Sequence, residues 1–240
     1  MKNFDIVGHR KWWFCLSGLL VLIALICIIV KGFNFGIDFT GGTILDLKFA
    51  QPVTVAQVRT GLEQDGLQSS VIQLSGDTHE ESGKEVIIRT RSLSSEEAQT
   101  ITSHISAKVG KAEINRVETV GAVIGSEVTK NTILNVGLSF TILIIYMSIR
   151  FEHRIAFSAI AAIVHDIIVV LGVFALFHLE IDASFLAAIL TVLGYSMNES
   201  VVIFDRVREN THTHKRSDTF ADLANASITQ SIHRSFYTLA

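Results

Sequence analysis

Three pairs of polar residues stand in surroundings that are almost wholly apolar: His165-Asp166, Asn198-Glu199 and Asp205-Arg206. An ionisable side chain at mid-bilayer costs about 2.5–3.5 kcal/mol on insertion scales, so its retention implies a task. A carboxyl that is neutral when dry and charged when hydrated can take a proton from one side and release it to the other. One elementary charge crossing 100 mV supplies about 2.3 kcal/mol, enough to bias a conformational cycle. Asp166 and Glu199 are therefore candidates for ion coupling, with Asn198 and Arg206 beside them and His165, Tyr195 and Asp205 in support. The competing reading is polar glue between helices, worth about 0.6–2 kcal/mol per bond.

A His-Asp pair also suits a metal-dependent hydrolase, but such enzymes need further ligands at set spacings. No HExxH or GxSxG pattern is present, and His212 with His214 in a basic segment is a weak metal site. His79 and His104 stand alone and read as solvated. Cys15 and Cys27, about 18 Å apart by helical rise, are too far apart to bridge. The chain is expected to be no enzyme and to hold no metal or cofactor.

The elements that carry these residues are spans. Trp12 to Val30 holds no charged side chain, and a hydrocarbon core of about 30 Å needs about 20 such residues. Three more apolar runs follow at 131–149, 155–177 and 183–204, joined by short loops that force antiparallel neighbours. Arg10, Lys11, Arg150, Arg154, Arg206 and Arg208, with Lys2, Lys215 and Arg216, all fall on one side if the spans alternate. That side is expected to be the cytoplasm, with residues 1–11 and 205–227 on it and 31–130 outside. Asp166, eleven residues beyond Ile155, lies about 16 Å deep. Antiparallel packing predicts a shared polar patch with Tyr195, Asn198 or Glu199.

The external stretch alternates strand and helix signals. TILDLKFA at 43–50 reads as a strand, and Thr54 with Gln57 is a capping box opening a helix. Strands follow at 71–74 and 85–91, then a second capping box at Ser94 and Glu97, a helical stripe through Ile101 and Ile105, and a strand at 113–123. The order β-α-β-β-α-β is that of a ferredoxin-like module. The fold class is thus a membrane α-helical bundle with an α/β external domain. Hydrophobic residues make up 49% of the 240, more than a soluble domain needs. A net charge of −3 offers no nucleic-acid footprint.

Three segments carry a family resemblance. Gly36-Ile37-Asp38-Phe39-Thr40-Gly41-Gly42 resembles the GIDFTGG motif of the SecD/SecF protein-export family, with Gly36, Asp38, Gly41 and Gly42 as its marked positions. Gly194 to Asn210, reading GYSMNESVVIFDRVREN, is similar to the family's fourth-helix signature, and Val164-His165-Asp166 to its third-helix counterpart. A single external module of about 100 residues resembles the SecF branch. The resemblance implies an RND-type transporter fold in the bacterial inner membrane, with residues 31–130 periplasmic. It implies SecD, the SecYEG channel, preproteins and membrane lipid as partners, and use of the proton motive force. By position, it assigns ion coupling to Asp166, Asn198, Glu199 and Arg206. The family usually has Asp where this chain has Glu199, and six spans, of which 228–240 resembles the entrance to the fifth. A small-molecule exporter half of the same superfamily, or a structural partner of the channel, are the alternatives.

Overall fold

A computed structural model describes residues 5–75, 82–213 and 219–239. Lys2, His79, His214, Lys215 and Arg216 lie outside them. Two compact units emerge, Met1–Asn34 with Asn135–Ala240, and Phe35–Leu134.

The first unit is helical. Its elements are α1 (Arg10–Lys31), the end of α5 (Ala122–Arg150), α6 (His153–Phe177), α7 (Ala183–Thr213) and α8 (Phe220–Leu239), with a two-residue strand β6 (Glu180–Ile181) before α7. α1, α5, α6 and α7 are long and apolar enough to cross a membrane. α1 and α6 meet through small residues, Ala24 against Gly172, with Ala175 also buried. Such residues let helix backbones approach, which replaces the missing hydrophobic drive between helices in lipid. At the other end of α6, Met147, Phe151, Ala156 and Ala159 form a buried cluster on which Met197, Val201 and Phe204 of α7 pack. α6 ends at His178, in the left-handed region with φ 53°. Lys31 Nζ donates to the Leu176 carbonyl at 2.6 Å, serving an acceptor that the helix end leaves open.

The second unit, opened by the short strand β1 (Asn34–Phe35), which starts on the boundary, holds α2 (Ile37–Thr40), β2 (Gly42–Thr54), α3 (Val55–Leu62), β3 (Val71–Ser75), β4 (Ser82–Thr90), α4 (Ser95–Lys108) and β5 (Ala112–Val120). The four longer strands form one sheet in the order β3-β4-β2-β5, every pair antiparallel. The period of two puts Leu45, Leu47 and Phe49 on one face of β2. There they join Val86 and Ile88 of β4, Val58 and Leu62 of α3, and Ile101 and Ile105 of α4 in a single core. Fully burying each such side chain contributes about 1.5–3 kcal/mol. Both capping boxes form, Thr54 with Gln57 and Ser94 with Glu97.

Several boundaries differ from the sequence reading: β2 runs on to Thr54, β5 ends at Val120 rather than 123, and α7 continues past 204 to Thr213. α5 begins at Ala122, ahead of the apolar run at 131–149, because the polar turns from Ser126 to Thr132 are helical too. α8 begins at Phe220 rather than at 228. Thr219 Oγ1 accepts from the Asp222 amide at 3.2 Å while Asp222 accepts from the Thr219 amide at 3.0 Å, a reciprocal cap that starts the helix early.

Candidate functional site

Asp166 lies in the middle of α6, and both its oxygens are engaged. His165 Nδ1 sits 2.9 Å from Oδ1, and the Ser196 hydroxyl of α7 donates to Oδ2 at 2.6 Å. The partner on α7 is thus Ser196, where the sequence pointed to Tyr195, Asn198 or Glu199. Ser196 precedes Glu199 by three residues, so the turn of α7 was anticipated and its rotation was not. Tyr195 is half exposed.

Glu199 turns to the opposite neighbour. Its Oε2 accepts a hydrogen bond from the hydroxyl of Ser235 on α8. The expected single patch is therefore two centres on two helix seams, Asp166 with Ser196 between α6 and α7, and Glu199 with Ser235 between α7 and α8. A cavity of about 290 Å³ lies along the second seam. Asn198, Asp205 and Arg206 line it from α7, and Gln230, Ser231 and Arg234 from α8.

Lower on the same seam Asn210 Nδ2 donates to Ser227 Oγ at 2.8 Å and to Gln230 Oε1 at 3.2 Å. Ser227 and Ser231, both buried, donate back to carbonyls four residues earlier in α8. Arg206 ion-pairs with Glu209 at 2.7 Å instead of reaching back to Glu199. Asp205 accepts from Arg150 Nη2 at 3.3 Å, tying the end of α5 to α7. The Arg150 guanidinium also lies 5.3 Å from the Phe151 ring centroid.

The glycine-rich motif belongs to the sheet unit. Gly36 is the N-cap of the single turn α2, in whose first turn Asp38 sits. Gly41 and Gly42 have φ of 70° and 135°. A Cβ on Gly41 would lie 2.8 Å from Ala122 Cα, and one on Gly42 2.5 Å from the Thr90 carbonyl oxygen. Close backbone approach, together with positive φ, fixes glycine at both positions. The Thr129 hydroxyl adds a bond to the Phe39 carbonyl at 3.2 Å. Gly41-Gly42 therefore locks α2 and the start of β2 to the first turn of α5. Among the described residues no group of three or more His, Cys, Asp or Glu could hold a metal ion.

Comparison with known proteins places these features in a family. Residues 100–240 match the family described as protein export membrane protein SecD/SecF, C-terminal, and residues 28–53 match the SecD/SecF GG motif. A protein translocase subunit SecF from Acidaminococcus fermentans is 48% identical over 99% of this chain and 82% of its own length. One from Haemophilus influenzae is 39% identical over 95% of this chain and 69% of its own. The crystal structure of SecDF, a translocon-associated membrane protein from Thermus thermophilus, superposes with a TM-score of 0.84 at 32% identity. It covers 97% of this chain, which spans 31% of that one. A SecDF structure in a super-membrane-facing form gives a TM-score of 0.64 at 33% identity. By its two matched motifs, its SecF relatives and its fold, the chain belongs to the SecD/SecF family of protein-export membrane proteins.

Proposed function

We propose that the chain acts as the SecF-type subunit of a protein-export complex, with SecD beside the SecYEG channel, and helps move preproteins outward at the expense of the proton motive force. It sits in the bacterial inner membrane with its N-terminus in the cytoplasm and residues 31–130 in the periplasm. The clustering of Arg10, Lys11, Arg150, Arg154 and Arg206 on one set of helix ends supports that orientation. We read the sheet unit as a ferredoxin-like module, because a β-α-β-β-α-β order with the third strand beside the first is the hallmark of that fold. The role is that of a transport subunit rather than an enzyme.

Ion coupling runs through Asp166 and Glu199. The observation that carries this is Asp166 itself, a carboxyl in the middle of a membrane helix with a hydrogen-bond partner on each oxygen. Two hydrogen bonds are more than helix packing needs, and they hold the group in one place for loading and release. Asn198, Asp205 and Arg206 line a cavity on the same α7–α8 seam as Glu199 and supply polar groups near it. The test is preprotein export into inverted membrane vesicles with and without an imposed proton gradient. Asp166→Asn is expected to lose the gradient-dependent part while SecD association stays intact. Unchanged export would reduce Asp166 to helix glue.

A further inference from the structure

His165 differs from every other polar side chain around Asp166 in having one bonded end and one empty end. Its Nδ1 is 2.9 Å from Asp166 Oδ1. Its Nε2 is buried and has no hydrogen-bond partner among the described residues. With Asp166 ionised, Nδ1 must be the donor, because a carboxylate only accepts. Nε2 is then a bare lone pair held inside the protein. A buried polar atom without a partner costs about 1–3 kcal/mol, and an imidazole that served only to cap a carboxylate would not need to incur it. A buried water would relieve the same atom, but one water accounts for neither the position nor the choice of imidazole over an amide.

We infer that His165 is the relay through which Asp166 receives its proton. The inference rests on the reading of Asp166 as the coupling carboxyl. The step balances as follows. An incoming proton binds Nε2, and the Nδ1 proton moves along the hydrogen bond to Oδ1, the N–H bond breaking as the O–H bond forms. This leaves a neutral carboxyl and a neutral imidazole protonated on Nε2. The carboxyl later discharges one proton on the far side. Loss of the Nε2 proton to water and reprotonation of Nδ1 restore the starting tautomer. With water on the loading side taking the Nε2 proton and returning one to Nδ1, two protons are bound and two released per cycle, a net transfer of one to the far side.

Ser196 has a different part. Its hydroxyl donates to Oδ2 at 2.6 Å, which leaves Oδ1 to face the imidazole. It is a positioning residue, turning the carboxyl so that one oxygen meets the relay. Nε2 is covered although 32% of the side chain is exposed, so loading requires that this one atom be uncovered.

The test separates relay from hydrogen bond. An asparagine amide can donate from nearly the position of Nδ1 but cannot pass a proton through. Export into inverted vesicles is measured for wild type, Asp166→Asn and His165→Asn, with an imposed proton gradient and with none. Loss of the gradient-dependent part in both variants, with gradient-independent export and SecD association retained, supports the relay. Loss in Asp166→Asn alone overturns the relay and leaves Asp166 as the coupling group. Retention in Asp166→Asn overturns the coupling reading and the relay with it. Should His165→Asn fail to assemble, the wild-type protein decides. A sodium gradient at equal pH on both sides is expected to give no stimulation, and stimulation by sodium alone overturns the inference.

Discussion

Gly172 of α6 faces Ala24 of α1 so closely that a Cβ added to the glycine would lie 2.2 Å from the alanine Cβ. Both residues are buried, and nothing flexible can give way, since the neighbouring contact at 2.5 Å is the Ala24 Cα. Gly172→Ala is therefore expected to force α1 and α6 apart. Overpacking of this kind costs about 1–3 kcal/mol, and Gly172→Leu should cost more. Thermal unfolding of the purified protein in detergent checks this, and an unchanged midpoint would mean that the crossing is not tight.

The two carboxylate centres lie on separate seams, so their hydroxyl partners should act separately. Ser196→Ala is expected to alter gradient-driven export in the wild-type background and to add nothing once Asp166 is Asn. Ser235→Ala should behave in the same way toward Glu199→Gln. Across seams the effects should combine independently, because residues that share no partner usually add. Non-additivity between Asp166 and Ser235, which lie on different helices, would show one shared patch after all.

Gly42 combines positive φ with a carbonyl oxygen 2.5 Å from where a Cβ would sit. Gly42→Ala is expected to displace the end of β4 and destabilise the sheet unit by more than the roughly 1–2 kcal/mol that a left-handed conformation alone costs. Protease digestion in right-side-out membranes would reveal this as faster cleavage within 35–120.

Glu97 gives a pH dependence. Its carboxyl is held below the ordinary value of 4.5, first by the Ser94 backbone N–H and then by the Arg91 side chain. A carboxyl lowered on folding contributes stability that is full above its unfolded value and is lost as pH falls through its folded one. The protection factors of amides in the first turn of α4 should therefore fall as pH drops below about 4.5, and Glu97→Gln should remove that dependence. An identical profile in both proteins would deny Glu97 this role.

The large apolar features were legible because their signals are redundant. A run such as 12–30 has few alternatives to crossing a bilayer, and the alternation of Leu45, Leu47 and Phe49 has few alternatives to one buried face of a strand. The capping boxes at Thr54 and Ser94 declared themselves by spacing alone. Helix ends were harder, since hydropathy sees only the part of α5 that meets lipid, and the turn from Ala122 is held by backbone contact with Gly41. The candidate site was legible only in part. Asp166 and Glu199 stood out by their cost in a membrane, but the seam each faces depends on the rotation of α6 and α7, which no local pattern encodes. Ser196 and Ser235 were invisible for the same reason, because a serine in a membrane helix ordinarily bonds its own backbone, as Ser148 and Ser158 do.

The serines that pack α8 against α7 have a mechanical meaning. A seam closed by leucines resists parting in water, because every wetted methyl carries a hydration penalty. Ser227 accepts from Asn210 and Ser235 donates to Glu199 across the seam instead, and a hydroxyl trades a protein partner for a water molecule at little net change. The joint beside Glu199 is thus closed largely by groups whose partners water can replace, whereas the Ala24–Gly172 crossing is closed by close approach of two backbones.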